Sequence, residues 1–378
     1  MGMLSAFGPF VTDFYLPAFP SVAAYFGSSA SLVQLSLTTG MLGLGGGQLI
    51  IGPLSDKYGR KRLIIGSLLL FVLSTVACIF APTISLFIIF RLFQGIAGAG
   101  GVVASKSVAA DLFSGHELTR FFSLLMMVNG LAPIAAPVFG GLLIKVTTWR
   151  GIFVALLLLG MVLLLLNARL KESLAADRRI RGSLFSTFRN FIPILRNRHF
   201  IYYVMSQTMA MGFLFSYISA SPFLFQNHFH LDPIMYSVLF GINSLGIMAG
   251  SRMLMLLREK KALLVGGIGL LATGFSSAAI LVLSNSLLCL EVSLFLQMMC
   301  LGLILPASTS LGLDLERSHN GSASAIMGFL PFLAGSIVSP LVGLGNLIHS
   351  TAIAIVICCL LSLFFIILAV KRTVGTEA

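Results

Sequence analysis

Long apolar runs constrain the fold of this chain more than any other feature. Twelve runs of mostly apolar residues follow one another, and a helix needs about 20 such residues to cross a bilayer. The runs lie near 1–20, 31–54, 62–81, 84–107, 121–144, 149–169, 199–222, 233–257, 261–284, 287–311, 321–345 and 349–370. Only 10% of the 378 residues are charged, whereas soluble domains carry about a quarter. The pattern excludes a soluble enzyme and predicts an all-α integral membrane protein with 12 transmembrane helices.

The cations indicate how the chain is oriented in the membrane. The net charge is +12, which in a soluble protein would suggest nucleic acid as a partner. Here most Lys and Arg lie in the connections that follow the even-numbered runs. Because cytoplasmic loops carry the excess of cations, both termini and these connections are predicted to be cytoplasmic. Nucleic acid is therefore not expected as a partner.

An internal repeat appears when the chain is compared with itself at an offset of 203 positions. The offset pairs Gly43 with Gly246, Gly47 with Gly250, Asp111 with Asp314, Pro137 with Pro340 and Gly140 with Gly343. Because six runs separate the copies, the repeat is parallel and predicts two pseudo-symmetric six-helix bundles. We assign residues 1–169 and 199–378 to the bundles and 170–198 to a cytoplasmic linker. In this plan a binding site is expected between the two halves.

Two opposite charges lie inside apolar runs of the first half. Asp13 precedes Pro20, the expected outer end of the first helix, by seven residues, and Arg91 follows Ile84 by seven. At about 1.5 Å per residue, both lie about 10 Å below the outer boundary and could meet. Charges inside a membrane face a cavity or a partner, so the pair is a candidate for proton coupling. The alternative is a permanent ion pair or separate hydrogen bonds between helices.

Two further charges have weaker claims to a role. Glu291 is only four residues into its run, so it could lie at the outer interface. Arg252 is near the inner end of its run and could extend its charge into the headgroups. The sequence assigns neither of them to a proton path.

Prolines and uncharged polar residues mark the expected wall of a central cavity. The fifth run carries Pro133, Pro137, Gly140 and Gly141, a pattern that bends a helix and suggests a hinge or seal. The polar candidates for the substrate cavity are Tyr15, Gln34, Gln94, Asn129, Gln207, Tyr217, Asn243 and Gln297. The 31 Phe and 16 Met could add an apolar lining that accepts varied ligands.

Sequence patterns for cofactors are missing. No phosphate-cradling glycine loop occurs, so ATP is not expected to drive the protein. The five Cys lie in apolar runs without paired spacing, which indicates neither a disulfide framework nor a metal site. We therefore expect no cofactor and no metal.

The connection after the second run carries the most specific motif. The segment from Gly52 to Arg62, GPLSDKYGRKR, resembles the signature loop between helices two and three of the major facilitator superfamily. Gly59 permits a tight turn, Asp56 is expected to cap a helix start, and the cations can bind carbonyl ends or lipid phosphates. The resemblance implies that this loop latches the two halves on the cytoplasmic side. The residues assigned to this gating role are Gly52, Asp56, Gly59, Arg60 and Lys61.

Four other segments extend the resemblance over essentially the whole chain. The segment RLFQG from Arg91 resembles the fourth-helix motif of proton-coupled members, and Pro133 to Gly141 is similar to the fifth-helix motif of antiporters. The segment TDFYLPAFP from Thr12 is similar to the first-helix signature of the Bcr/CflA drug-resistance branch, and WRGIF from Trp149 to the start of its sixth helix. This branch implies export of drugs across the bacterial inner membrane in exchange for protons.

The sequence therefore favours a proton-coupled multidrug efflux transporter, a drug:H+ antiporter that works by alternating access. Its expected partners are lipophilic small-molecule drugs, protons and membrane lipids, and we expect a monomer. The main alternative is a dedicated carrier for one sugar, amino acid or peptide, which would need a denser polar site than the sequence offers. A membrane enzyme or a passive channel would need a clustered catalytic constellation or a continuous polar lining, and the sequence has neither.

Overall fold

The computed structural model describes an all-helical chain. It describes residues 2–5, 7–113, 132, 135–174, 179, 191–254, 256–284, 286–316 and 320–373, and every regular element in these ranges is helical. The contacts divide the chain into two compact units. The first unit comprises Met1–Thr187 with Asp232–Ser237, and the second comprises Phe188–Leu231 with Val238–Ala378.

The first unit is built around three long helices. Helix α4 packs against α6, and α5 packs against both α6 and α8. The helices are α1 Gly2–Ser5, α2 Phe7–Asp13, α3 Phe19–Phe26, α4 Ala30–Tyr58, α5 Arg60–Ile79, α6 Ile84–Leu112, α7 Ala135–Val146 and α8 Trp149–Ala168. Side-chain oxygens of Ser29 and Thr83 accept hydrogen bonds from the backbone N–H groups of Leu32 and Leu86 in the first turns of α4 and α6, which fixes where these helices begin.

The second unit is arranged around its first long helix. Helix α10 packs against α13, α14 and α15, and α12 packs against α13 and α15. The helices are α9 Phe191–Arg196, α10 Arg198–Phe223, α11 Pro233–Leu254, α12 Glu259–Leu283, α13 Leu287–Leu315, α14 Asn320–Val342 and α15 Leu347–Thr373, with a π-helical turn Leu224–His228 after α10. The first turn of α11 groups with the first unit.

Ten helices within the described ranges are long and apolar enough to cross a membrane. They correspond to ten of the twelve predicted runs. The fifth run is described only in part and contributes α7. Ten spans with shorter apolar helices confirm the prediction of an all-α membrane fold.

The first run differs from its predicted form. Helix α2 ends at Asp13, a 3-10 turn covers Leu16–Ala18, and α3 then continues to Phe26. The expected outer end at Pro20 is therefore wrong. Pro20 stands in the first turn of α3, where a missing backbone N–H costs no hydrogen bond, so it starts a helix rather than ending one.

Helix packing confirms the internal repeat at the level of single contacts. A Cβ added to Gly43 would overlap the carbonyl oxygen of Leu92, and one added to Gly246 would lie 2.9 Å from the carbonyl oxygen of Phe295. Both residues of the second contact lie 203 positions after those of the first. The α4–α6 pair and the α11–α13 pair therefore approach each other through the same glycine positions.

We expect Gly43→Ala to lower the melting temperature of the purified protein in detergent. The added Cβ would overlap the backbone of α6, so α4 and α6 must move apart, at a cost of about 1–3 kcal/mol. The matched control is Gly46→Ala on the same helix, because no heavy atom lies within 4 Å of its added Cβ. Equal melting temperatures for the two variants would contradict the close approach.

Candidate functional site

The break after α2 creates a polar site inside the first unit. The last four carbonyl groups of a helix have no intrahelical partner, and Val11 is among them in α2. Arg91 in α6 is fully buried, and its Nη2 donates a hydrogen bond to the Val11 carbonyl oxygen at 2.8 Å. A cation at a helix C-terminus also interacts favourably with the helix dipole. Arg91 thus stabilises the C-terminal end of the broken helix, where carbonyl groups have no intrahelical partner.

The rest of the Arg91 guanidinium contacts its own helix α6, the turn after α2 and helix α4. Its Nη1 donates to Oε1 of Gln94, whose Nε2 donates to Oγ1 of Thr75 at 2.7 Å. The guanidinium carbon lies 4.2 Å from the ring centroid of Tyr15, a cation–π contact. Gly40 leaves room for this group, because a Cβ there would lie 3.1 Å from Nη2. The structure therefore brings together Arg91, Gln94 and Tyr15, three of the residues singled out in the sequence.

Asp13 lies at the same helix end but does not pair with Arg91. Its side chain is buried at 7% exposure. Within the described part of the chain, no Lys, Arg or His nitrogen lies within 4 Å of its carboxylate. The expected meeting of the two charges therefore does not form an ion pair. The reason is the break in the helix, which offers Arg91 a backbone carbonyl instead.

The signature loop forms a second charged site in the first unit. Arg60 Nε lies 2.9 Å from Oδ2 of Asp111, and its Nη1 lies 2.5 Å from Oδ1 of Asp56. Nη1 also donates to Oγ of Ser55 at 3.0 Å. The expectation that Asp56 caps a helix start is wrong, because it lies in the last turn of α4 and faces the guanidinium. Arg60 instead links the end of α4 to the end of α6.

Glu172 caps the start of α5 and was missed in the sequence. The backbone N–H groups of Arg60 and Lys61 donate to its carboxylate oxygens at 2.9 and 3.3 Å. Gly59 has φ +98°, and a Cβ there would overlap the Glu172 carboxylate. Lys61 thus enters this site through its backbone. The only signal in the sequence was that Glu172 is one of two acidic residues, with Asp177, in a linker rich in Arg and Lys.

The remaining predicted residues of the loop and the fifth helix differ in how closely they are packed. Gly52 has no heavy atom within 4 Å of an added Cβ, so the structure gives it no close contact. Pro137 is buried in α7, and Gly140 lies against the carbonyl oxygen of Phe14. A Cβ added to Gly141 would lie 2.7 Å from the carbonyl oxygen of Pro233. Asn129 and Pro133 lie outside the described residues.

The other cavity candidates do not form one cluster. Gln34 is fully buried in α4, and Oε1 of Gln207 accepts from Oγ1 of Thr309 at 3.2 Å. Gln297 is also fully buried, and neither amide atom has a hydrogen-bond partner among the described residues. Nδ2 of Asn243 donates both to the Tyr217 hydroxyl oxygen and to Glu291, to which the sequence assigned no role.

Comparison with known proteins decides the family. A family model described as Major Facilitator Superfamily matches residues 1–340. The chain belongs to the Major Facilitator Superfamily. It is therefore a multi-pass membrane transporter and not an enzyme.

Relatives in this superfamily include proteins named for drug resistance. The chain is 39% identical to the uncharacterized transporter YdgK of Bacillus subtilis, over 92% of this chain and 88% of that protein. It is 31% identical to a bicyclomycin resistance protein homolog of Haemophilus influenzae, over 60% of this chain and 57% of that protein. It is 28% identical to the multidrug resistance protein MdtL of Escherichia coli, over 56% and 54%. The matched part thus spans a little over half the length of the named resistance proteins.

Solved structures agree with this fold. A bacterial homolog of the human lysosomal transporter Spinster aligns with a TM-score of 0.77 at 16% identity, over 98% of this chain and 95% of that one. A D-xylose–proton symporter aligns with a TM-score of 0.73 at 16% identity, over 96% and 95%. At this identity the likeness shows the fold alone.

We expect Glu172→Gln to loosen the start of α5. Replacing the carboxylate weakens two charge-assisted hydrogen bonds at a helix N-terminus, a change of about 0.5–2 kcal/mol. Hydrogen–deuterium exchange should become faster in the first turn of α5 and remain unchanged in the middle of that helix. The control is Lys171→Gln, which changes the charge of the exposed neighbouring residue. If both variants exchange like the wild type, Glu172 is not the cap.

Proposed function

We propose that this transporter exports lipophilic small molecules across the bacterial inner membrane in exchange for protons. The observation that carries the proposal is Asp13, a buried carboxyl group at a broken helix end that has no cation partner among the described residues. A carboxylate held out of water is costly unless it is paired, and binding a proton removes its charge. The relatives named for drug resistance support a drug-like cargo for this site.

The geometry gives Asp13 and Arg91 different roles in this proposal. Arg91 is always charged and is engaged by the Val11 carbonyl and by Gln94, so it holds the helix end in place. Asp13 follows Val11 by two residues and is the group whose charge can change. A change of its charge acts on the same helix end that Arg91 holds. Arg91 is thus a positioning residue, and Asp13 is the residue that binds the proton.

Alternating access requires two bundles that rock about a central site. We assign residues 1–169 and 199–378 to these bundles and 170–198 to the linker, with both termini in the cytoplasm. The distribution of Lys and Arg supports this orientation, and the shared glycine contacts of α4–α6 and α11–α13 support two equivalent bundles. The ion-pair network at Arg60 is then the cytoplasmic latch, with its cations beside the lipid headgroups.

We expect Asp13→Asn to abolish proton movement that is driven by drug. The amide of Asn has nearly the same shape as the carboxyl group of Asp, but it does not bind or release a proton near neutral pH. The measurement uses proteoliposomes with an imposed pH gradient and a pH-sensitive dye inside, to which chloramphenicol or rhodamine 6G is added. Asp232→Asn is the control, because it removes a half-exposed carboxylate outside the apolar helices.

Undiminished exchange by Asp13→Asn would rule out the role assigned to this residue. Wild-type protein that moves drug without protons would rule out the proton coupling itself. A screen of ligands by thermal shift separates the cargo classes. Many weak lipophilic ligands fit a drug exporter, whereas one tight polar ligand fits a dedicated carrier.

We expect Arg91→Lys to destabilise the first unit and to lower transport. An ammonium keeps the charge but cannot reach the Val11 carbonyl and Gln94 with two separate nitrogens. Each buried acceptor that loses its donor costs about 1–3 kcal/mol. The measurement is the melting temperature in detergent, with Arg252→Lys at an exposed position as the control. A melting temperature equal to that of the wild type would contradict the proposal that Arg91 stabilises the end of α2.

A further inference from the structure

A second polar cluster lies within the second unit and takes no part in the proposed proton site. Glu291 in α13, Asn243 in α11 and Tyr217 in α10 converge there from three helices. Asn243 Nδ2 donates to Oε1 of Glu291 at 2.9 Å and to the hydroxyl oxygen of Tyr217 at 3.1 Å. Both donor hydrogens of the Asn243 amide are therefore engaged.

The cluster has more acceptors than donors. Oε2 of Glu291 and Oδ1 of Asn243 are buried, and neither has a hydrogen-bond partner among the described residues. Asn243 is 1% exposed, so bulk water does not reach its Oδ1 to donate a hydrogen bond. No Lys, Arg or His nitrogen in the described ranges lies within 4 Å of the Glu291 carboxylate. Buried acceptors of this kind are costly unless a ligand supplies the donors.

An aromatic pair forms part of the same cluster. The rings of Tyr217 and Phe240 are stacked, with centroids 5.5 Å apart and planes inclined by 20°. Both residues are buried. The faces of aromatic rings attract cations, and most strongly where water is excluded. A carboxylate, a free amide oxygen and aromatic rings together favour a ligand that is cationic, carries N–H groups and has an apolar body.

The repeat shows which residues of the first unit are equivalent to this cluster, and they have different chemistry. The offset of 203 pairs Asn243 with Gly40, which lies beside the guanidinium of Arg91, and pairs Glu291 with Ile88, one turn before Arg91. At Arg91 itself the second unit has Leu294. The first unit therefore contains its own cation between these helices. In the second unit Leu294 stands at the equivalent position, and Glu291 and Asn243 present acceptor atoms there.

We propose that Glu291, Asn243 and Tyr217 form the binding site for the ammonium group of a cationic lipophilic substrate. This inference rests on the proposed export function and names a substrate class for it. An N–H group of the cation donates to Glu291 Oε2, a second N–H group, where the cation has one, donates to Asn243 Oδ1, and the apolar body packs on the aromatic rings. A neutral drug has no charge for Glu291 to bind, so its affinity does not depend on this carboxylate.

Binding to purified full-length protein tests the proposal without relying on proton coupling. The cationic probe is rhodamine 6G, which carries N–H groups and whose binding is followed by fluorescence anisotropy. The neutral probe is radiolabelled chloramphenicol, measured by equilibrium dialysis. We expect Glu291→Gln to weaken binding of rhodamine 6G at least tenfold and to leave binding of chloramphenicol unchanged. Glu291→Asp keeps the charge and should bind rhodamine 6G within a few-fold of the wild type.

The controls separate a lost binding group from a damaged fold. Glu316→Gln changes a carboxylate at the far end of the same helix, where Oε1 accepts from Nδ2 of Asn197, and should bind both probes like the wild type. The melting temperature of each variant is measured in parallel. Glu291→Gln is nearly isosteric and retains the oxygen that accepts from Asn243.

Two results would overturn the proposal. Unchanged binding of rhodamine 6G by Glu291→Gln would show that the carboxylate does not bind the cation. An equal loss of binding for both probes would show that Glu291 acts on the proton or on the structure instead. Failure of the proposed export function is recognised separately, because it would remove drug-driven proton movement in the wild type while the difference between the probes persisted.

Discussion

The hydrogen bond from Arg91 to the Val11 carbonyl is the interaction on which the first unit depends. A guanidinium that is fully buried in an apolar bundle must find acceptors, and the break after α2 provides one. The same break needs a donor, because the end of α2 has carbonyl groups without partners. The hydrogen bond therefore lowers the free-energy cost both of burying the guanidinium and of breaking the helix. The glycine at position 40 and the ring of Tyr15 then follow from the space and the cation–π contact that the guanidinium requires.

The two units share their packing but differ in their buried chemistry. Close contacts at Gly43 and Gly246 are equivalent, because helix approach is set by small residues and tolerates little change. The polar residues between the same helices are under no such constraint. A buried arginine occupies the first unit, whereas in the second unit one oxygen of the Glu291 carboxylate and the amide oxygen of Asn243 have no donor among the described residues. A duplicated scaffold can therefore hold two different sites while its helix contacts remain the same.

The fold was largely predictable from the sequence, and the site only in part. Apolar runs depend on local composition, so they predicted ten of the spans that the described residues form, and the repeat at one offset pairs Gly43 with Gly246, which make equivalent helix contacts. The end of the first helix was placed wrongly at Pro20, because a proline can start a helix as readily as it ends one. The pairing of Asp13 with Arg91 assumed an unbroken helix. Glu172 was missed because its partners are more than 100 positions away along the chain.

Asp13 and Glu291, which have no cation partner among the described residues, differ in a way that bears on the proposed exchange. Asp13 is next to a backbone end that is already held by a cation, so a change in its charge acts on the position of a helix. Glu291 is held by the Asn243 amide, which also binds the Tyr217 hydroxyl, so a change in its charge acts mainly on what can bind there. In the exchange that we propose, a single carboxylate that bound both the proton and a cationic drug would release its proton only to a cation. Separate acids remove that restriction, so the proposed proton cycle serves neutral as well as cationic molecules.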